Sequence, residues 1–368
     1  MEDKKKTAGA VNAQAAAAQA GAANAQTAAA PAGVASAGPA ADTLQKPAEA
    51  PQSAEKPAEA PVIDEATSAL LKTIADFDGK YFEGAFNIRS NCMSLGRRST
   101  ENIRIESKTD LPGLDIRIAP GTKGEKCFIP ACVTKPDVDD LVYNDFFVGE
   151  GADVTIVAGC GVHTETGEPA RHSGIHRFFL EKGARVLYVE KHVGTGSDQT
   201  KKVIDPQTQC FLAEGAYIEM DTSQLGGVSA SVRRTSAELA AGAQIVIRER
   251  LLTDADETAE SYFTVTLNGE DSKVNLMSRS VARGNSHQTY QSNIIGNARS
   301  YGHSECDAIL AENGRVDAMP QLSANCQDAE LIHEAAIGKI AGEQIMKLRT
   351  LGLTEEQAEA AIIDGFLK

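Results

Sequence analysis

The sequence predicts a mainly β protein built from short stacked strands, and three observations support this prediction. Glycines at positions 151, 183, 215, 242, 269 and 296 recur at intervals of 32, 32, 27, 27 and 27 residues. The first four each open a short alternating segment, such as Gly183–Tyr188. Thirty-two glycines against thirteen prolines, with no tryptophan, suit a turn-rich chain. Stacked coils can bury strand faces that isolated strands cannot, which favours a β-solenoid, although a sandwich or barrel would show similar strand spacing.

The N-terminal sixth of the chain differs in composition from the rest. Residues 1–62 are rich in Ala, Pro and Gln and contain the hexapeptide KPAEAP twice. Such a segment has too few bulky apolar groups to offset chain entropy, so we predict a disordered tail. Ile63–Phe77 then carries apolar residues at helical spacing. We therefore expect a short helical segment over residues 63–90, followed by a β core over residues 91–322.

The sequence changes to a helical period near its C-terminal end, and we expect a helical region over residues 323–368. The apolar residues of Asp328–Arg349 fall on one broad helical face. Gly352 is placed to end this helix, and Thr354–Gln357 reads as a capping box that opens a second one. Because this pair has little apolar surface of its own, it should dock on the solenoid and cap its last rung.

Composition also limits the partners and the compartment. A net charge of −15 disfavours non-specific binding to nucleic acid or to an anionic membrane. No apolar run approaches 18 residues, and no leucine precedes Leu44 to form a secretory signal. The seven cysteines are an odd number without a C-x-x-C pair, which fits reduced thiols. These observations predict a cytoplasmic protein with no nucleic-acid or membrane partner.

One thiol and one His-Glu pair are the strongest candidates for chemistry. Cys306 lies in an alternating segment, with His303 three residues before it. His333 and Glu334 follow about 27 residues later, at the start of the expected helix. A fold-back could bring sulfur, nitrogen and oxygen ligands together, a set that suits iron, zinc or a persulfide. The residues alone favour a core cysteine and a surface pair at a helix N-terminus.

The remaining histidines and cysteines carry weaker signals. His163, His172 and His176 fall in a Gly- and Pro-rich stretch that suggests a flexible loop between strands, and no fixed metal-ligand spacing accompanies them. Their roles stay open on the sequence alone. Cys160, between two glycines, suggests a tight corner, and Cys210, in an apolar run, suggests the core.

Four segments in the C-terminal third resemble the SufB/SufD family, the scaffold proteins of SUF-type iron–sulfur cluster assembly. They are Ser278–Gln288, Gly302–Leu310, Arg315–Leu322 and Leu331–Gln344, and shorter matches continue upstream to about Asn91. The resemblance implies a right-handed β-helix core and a transient iron–sulfur cluster as cargo. It also implies that Cys306 accepts sulfur and binds the cluster, with Glu334, His333 and, more weakly, His303 as further ligands.

The resemblance further implies a non-enzymatic scaffold that works with other proteins. A SufC-type ABC ATPase would bind the C-terminal helices, and a cysteine desulfurase or sulfur carrier would supply sulfur. Gly194–Asp198 lacks the Gly-Lys-Ser/Thr of a P-loop, so a partner would bind the ATP. One thiolate and one carboxylate cannot complete a cluster site, so a homodimer or a SufD-like heterodimer is expected. The alternatives are a structural SufD-like partner without a cluster site and a β-helix enzyme acting on polysaccharide.

Overall fold

A computed structural model describes residues 63–77, 79, 82–165 and 167–368, so the predicted tail of residues 1–62 lies outside the described residues. The elements of the described chain, in order, are α1 (Glu65–Ala75), β1 (Ala85–Ser90), β2 (Met93–Arg98), β3 (Ile103–Ser107), β4 (Gly113–Ile118), β5 (Lys123–Phe128), β6 (Ala131–Val133), β7 (Asp139–Val148), β8 (Asp153–Thr164), β9 (Ala170–Leu180), β10 (Arg185–Gly196), β11 (Lys202–Ile204), β12 (Gln207–Leu212), β13 (Tyr217–Leu225), β14 (Ala230–Leu239), β15 (Gln244–Thr253), β16 (Thr258–Leu267), β17 (Ser272–Ala282), β18 (His287–Gly296), β19 (Ser300–Leu310), β20 (Arg315–Ala324), β21 (Ala329–Gly338), α2 (Gly342–Thr350) and α3 (Glu355–Phe366).

The strands form a β-solenoid of about eight turns, as predicted. From β7 onward the chain alternates between two sheets, with β11 and β12 both in the second, and each strand pairs in parallel with the strand one turn away. The first sheet runs in the order β2-β1-β5-β8-β10-β13-β15-β17-β19-β21, with β6 between β1 and β8. The second runs in the order β20-β18-β16-β14-β11-β9-β7-β4-β3, with β12 between β14 and β9.

The predicted glycine corners are confirmed where the repeat is clearest. Gly151, Gly183, Gly215 and Gly242 have φ values of 64°, 65°, 67° and 65°. This left-handed backbone is disfavoured for residues with a Cβ atom. Each of these glycines precedes by two residues a strand of the first sheet, so the repeat in the sequence is the rung of the solenoid.

The inner faces of the two sheets meet in a continuous core. Every second side chain of each central strand is buried, as the alternating pattern predicted. Phe146 and Phe178 stack across neighbouring rungs with ring centroids 4.4 Å apart, and Cys210 is buried in the same core, as expected. This regular packing fixes the register of each rung on the next.

The N-terminal end of the solenoid is closed by the predicted short helix and by antiparallel strands. The helix α1 begins at the N-cap Asp64, which accepts a hydrogen bond from the Thr67 backbone N–H at 2.7 Å. It buries Leu70, Leu71 and Ile74 against the outer face of β8 and its neighbours. In addition, β2 and β3 pair antiparallel with β1 and β4 and end the two sheets.

The C-terminal end differs from the prediction. The helix expected over Asp328–Arg349 is wrong in its first half, because residues 329–338 form β21 and pair in parallel with β19. Leu331 and Ile337 face inward, whereas Ile332 faces outward. Because β21 has apolar residues on both faces, its sequence also fits the spacing of a helix. Pairing with β19 overrides that local preference.

The two C-terminal helices are present, and the capping box at Thr354 and Gln357 is confirmed. They do not cap the last rung. The helix α2 buries no side chain, α3 buries only Ala358 and Ile363 among its residues, and most residues of β20 and β21 are exposed. No helix in the described part of the chain is long and apolar enough to cross a membrane.

Candidate functional site

Cys306 lies on the inner face of β19, near the C-terminal end of the solenoid. We call this the open end, because the outer edges of β20 and β21 pair with no other described strand. Along this strand Ser304, Cys306 and Ala308 point into the core, whereas His303, Glu305 and Asp307 point outward. Cys306 is only 1 % exposed and belongs to the main core cluster. Burial raises the pKa of its thiol to about 12, and the charges of Glu249 and Asp307 act in the same direction. The sulfur is therefore protonated at neutral pH unless a metal displaces the proton.

The final rung separates the two residues of the His-Glu pair, because neighbouring residues of a strand face opposite ways. His333 lies beside Ser304 and points to the same inner face as Cys306. Its Nδ1 atom is buried and has no hydrogen-bond partner among the described residues. Ala335, rather than a ligand, lies directly beside Cys306 in the register.

Glu334 points to the outer face, where it meets His303. Its Oε2 atom is 3.8 Å from His303 Nε2, and His303 Nδ1 is 3.1 Å from Asn275 Oδ1. The four residues predicted for this site thus form two pairs on opposite sides of one sheet. Cys306 and His333 share the inner face, and His303 and Glu334 share the outer face.

A line of polar side chains runs along the inner face of the first sheet toward Cys306. The register aligns Glu190, Thr222, Glu249, Ser278 and Cys306 on successive strands. Glu249 accepts hydrogen bonds from Ser278 at 2.8 Å and from Ser261 at 2.6 Å. A core built only for packing would carry apolar side chains at these positions, so the interior next to Cys306 is unusually polar.

The other histidines also lie in strands of the two sheets. His163 lies in β8, and His172 and His176 lie in β9, so none of the three is in a flexible loop as expected; His172 and His176 are buried. His172 Nδ1 is 3.3 Å from Asp140 Oδ2, and His176 Nδ1 is 2.8 Å from the Tyr188 hydroxyl. His287, at the start of β18, lies 2.7 Å from Asp317 on the surface.

Cys160 does not occupy a corner, because Gly159, Cys160 and Gly161 lie inside β8. A Cβ atom on Gly159 would lie 2.5 Å from Ile74 of α1. The two glycines thus leave room for α1 on the outer face, while Cys160 points into the solenoid. The prediction of a tight corner at Cys160 is therefore wrong: the two glycines allow α1 to pack closely against β8.

A buried cluster of polar side chains surrounds Cys160, and its members were not among the predicted site residues. Ligand atoms of Cys160, Glu190 and His192 lie within 4.8 Å of one another. Arg233 Nη1 donates to Glu190 Oε2 at 2.6 Å. Burial alone would raise the pKa of Glu190, but His192 and Arg233 beside it hold that pKa well below its ordinary range.

The repeat in the sequence contained the signal for this cluster. Cys160 and His192 are 32 residues apart, the same interval that separates Gly151 from Gly183. Residues one period apart lie side by side, and the register indeed pairs His192 with Cys160. The alternation in β10 then places Glu190 on the same inner face.

Comparisons with known proteins agree with the fold and the motifs. Residues 144–366 match the family model described as SUF system FeS cluster assembly, SufBD core domain. The chain belongs to the SufBD family. The matched region contains both the Cys160 cluster and the Cys306 rung, and it ends within α3.

Several archaeal proteins named as iron–sulfur cluster assembly SufBD family proteins are similar to this chain. One from Archaeoglobus fulgidus is 31% identical over 277 residues, which cover 74% of this chain and 73% of the relative. One from Methanothermobacter thermautotrophicus is 28% identical over 71% of this chain and 64% of the relative. One from Methanocaldococcus jannaschii is 26% identical over 64% of this chain and 74% of the relative. The chain is thus a SufBD family iron–sulfur cluster assembly protein.

Proposed function

We propose that this SufBD protein is a scaffold subunit on which an iron–sulfur cluster is assembled and from which it is handed on. The observation that carries the proposal is that Cys306 and His333 share the inner face of the last two strands of the first sheet, with His333 two residues before Ala335, the register partner of Cys306. A soft sulfur and a borderline nitrogen are suitable ligands for iron. Cys306 would accept sulfur and bind the cluster, with His333 as the second ligand.

Glu334 and His303 are proposed as ligands from the outer face of the same edge. Glu334 is well exposed, and its carboxylate is free to turn toward a cluster held beyond the last rung. Oxygen ligands bind iron–sulfur clusters less firmly than thiolates do, which suits a cluster that must leave. The scaffold role itself requires no catalytic step by this chain.

The ligands of one chain cannot complete the coordination of a cluster, so we propose that two chains meet at the open end. In the described chain β20 pairs only with β18, and β21 only with β19, so each sheet ends in a free strand edge. Free edges of this kind are templates for pairing with another chain. Exposed apolar side chains accompany them: Met319, Leu322, Ile332 and Ile337. The partner would be a second copy or a SufD-like chain.

We further propose that a SufC-type ATPase binds the C-terminal helices, and that a cysteine desulfurase or sulfur carrier supplies the sulfur. Met346 and Leu351, at α2, are 66% and 78% exposed, which is unusual for large apolar residues and favours a docked partner. Met346→Asp should abolish co-purification of a SufC-type ATPase and leave the thermal unfolding of the chain unchanged. Undiminished co-purification would contradict this assignment.

A structural SufD-like partner without its own cluster is the second candidate. One observation favours it: Cys306 is almost fully buried and its thiol has a high pKa. A sulfur acceptor needs access to its donor, so this reading predicts a chain that binds no iron or sulfide by itself.

Anaerobic reconstitution with ferrous iron and sulfide distinguishes the two functions. The wild-type protein should develop visible sulfur-to-iron charge-transfer absorption and contain iron and sulfide, in a species with the mass of a dimer. Cys306→Ser should lose nearly all of this absorption, and His333→Gln most of it, because each removes a ligand.

Cys326→Ser is the matched control, since Cys326 lies in the turn after β20 and is partly exposed. It should reconstitute like the wild type. Equal reconstitution of Cys306→Ser would exclude the proposed site, and a wild-type chain that takes up neither iron nor sulfide would favour the structural role.

A further inference from the structure

The cluster of Cys160, Glu190 and His192 lies several rungs from Cys306 and has the composition of a metal site. Cys160 on β8 and His192 on β10 are register partners, and Glu190 is two residues from His192 on the same inner face. Cys160 Sγ, a Glu190 carboxylate oxygen and a His192 ring nitrogen lie within 4.8 Å of one another. One ion could therefore contact all three with small side-chain movements.

An unpartnered nitrogen points into this cluster. The His192 side chain is fully buried, and its Nε2 atom has no hydrogen-bond partner in the described part of the chain. The nearest acceptor, Glu190 Oε1, lies 3.4 Å away. Buried polar atoms are nearly always paired, so an unpaired one indicates a missing partner.

The arrangement of His192 defines what binding would require. Arg233 Nη2 lies 3.2 Å from His192 Nδ1 and donates to it, so Nε2 carries the ring proton without a ligand. An ion at Nε2 would shift that proton to Nδ1 and end this hydrogen bond. Arg233 would keep its contacts with Glu190 and Glu249, at 2.6 Å and 3.5 Å.

The local charge favours a cation. Glu190 and Glu249 are both buried, and Arg233 is the cation that contacts both. The three side chains therefore leave one negative charge uncompensated, which is unfavourable away from water. A divalent ion bound together with the Cys160 thiolate would bring the net charge of the group to zero.

The surroundings provide an orienting partner and a route of entry. The Tyr188 hydroxyl donates to Glu190 Oε1 at 2.8 Å and fixes the carboxylate, as outer partners of metal ligands do. Cys160 also lines a cavity of about 290 Å³ that is bordered by Arg89, Cys92 and His176. An ion, and a water molecule as its fourth ligand, could enter from this side.

We propose that Cys160, Glu190 and His192 bind one divalent transition-metal ion of the Fe²⁺ and Zn²⁺ class inside the solenoid. Sulfur, nitrogen and oxygen ligands together suit these borderline ions and not Mg²⁺ or Ca²⁺. Binding forms bonds from the ion to Cys160 Sγ, a Glu190 oxygen and His192 Nε2. It releases the Cys160 thiol proton to solvent, with no change in oxidation state. The proposal does not depend on the cluster function of Cys306.

Titration of the reduced, full-length protein with Co²⁺ under anaerobic conditions tests this site. The wild type should bind one Co²⁺ here with a thiolate-to-metal charge-transfer band in the near ultraviolet. Cys160→Ala and His192→Gln should each lose this band. Tyr188→Phe should keep the band and bind roughly 10–100-fold more weakly, since it removes only the partner of Glu190.

Two cysteine variants control for the remaining thiols. Cys127→Ala removes a fully buried thiol elsewhere in the core, and Cys306→Ala removes the proposed cluster ligand. Both should retain the band. A band that survives in folded Cys160→Ala, that disappears only in Cys306→Ala, or that is absent from the wild type overturns the proposal. If Cys160→Ala does not fold, X-ray absorption of the Co²⁺-loaded wild type must show one sulfur and at least two nitrogen or oxygen neighbours, and a spectrum without sulfur overturns it.

Discussion

The two ends of the solenoid are built in opposite ways. At the N-terminal end α1 buries Leu71 and Ile74 completely, and antiparallel strands close both sheets. At the C-terminal end β20 and β21 are regular ten-residue strands whose outer edges pair with no other described strand. A solenoid needs a cap at each end to stay soluble and monomeric. Among the described residues no element covers the edges of β20 and β21, and the proposed pairing with a second chain rests on this observation.

The interiors near the two ends also differ. Toward the N-terminal end the core holds buried ionisable groups, among them Asp140, His176 and Glu190. Toward the C-terminal end the buried polar groups are mostly hydroxyls, such as Ser278, Ser292 and Ser304. Hydroxyls do not titrate in the physiological range, whereas histidines do. The stability contributed by the N-terminal rungs should therefore depend on pH more strongly.

The largest effect that we expect is a loss of stability at low pH that arises from the buried His176. Burial lowers the pKa of His176 to about 4, with His172, His192 and Arg233 acting in the same direction and Glu190 opposing them. An unfolded histidine has a pKa of about 6.5, so between pH 6.5 and pH 4 the unfolded chain binds a proton that the native chain does not. The free energy of unfolding should fall by about 3 kcal/mol on this account as the pH falls through that window.

Urea unfolding of His176→Gln at several pH values measures this contribution. The variant should lose much of the decline between pH 6.5 and pH 4, whatever its stability at neutral pH. Ser304→Ala, a buried polar change near the open end, should lower the free energy of unfolding by a similar amount at each pH. A decline in His176→Gln as steep as that of the wild type would show that other groups cause it.

Sequence patterns predicted the features that repeat and missed those that depend on neighbouring rungs. The glycine interval and the strand alternation predicted the solenoid, because each rung repeats the same local chemistry. Residues 329–338 were expected to be helical because their apolar residues satisfy both periods, and only the neighbouring strand β19 decides between them. The capping box at Thr354 was predictable because it is a purely local motif.

The same distinction explains which features of the candidate site could be predicted from the sequence. Cys306 was identified from its motif, but its inward direction could not be read from a segment in which the alternation was ambiguous. The separation of His333 from Glu334 followed directly from strand rather than helix geometry. The interval of 32 residues also predicts that Cys160 and His192 lie side by side, because residues one period apart occupy equivalent positions on neighbouring rungs.

Replacing a glycine by alanine at each end should change the free energy of unfolding by a smaller amount, and by different amounts at the two ends. Gly159, under α1, has no room for a side chain: an added Cβ atom would lie 2.5 Å from the Ile74 backbone oxygen. Gly338, at the end of β21, has no atom within 4 Å of that position.

Gly159→Ala should therefore lower the free energy of unfolding by about 1–3 kcal/mol, because α1 must shift. Gly338→Ala should leave it unchanged or raise it by up to about 0.5 kcal/mol, because it restricts the unfolded chain. Chemical denaturation of the isolated chain measures both, and equal losses at the two positions would mean that the C-terminal end is as tightly packed as the N-terminal one.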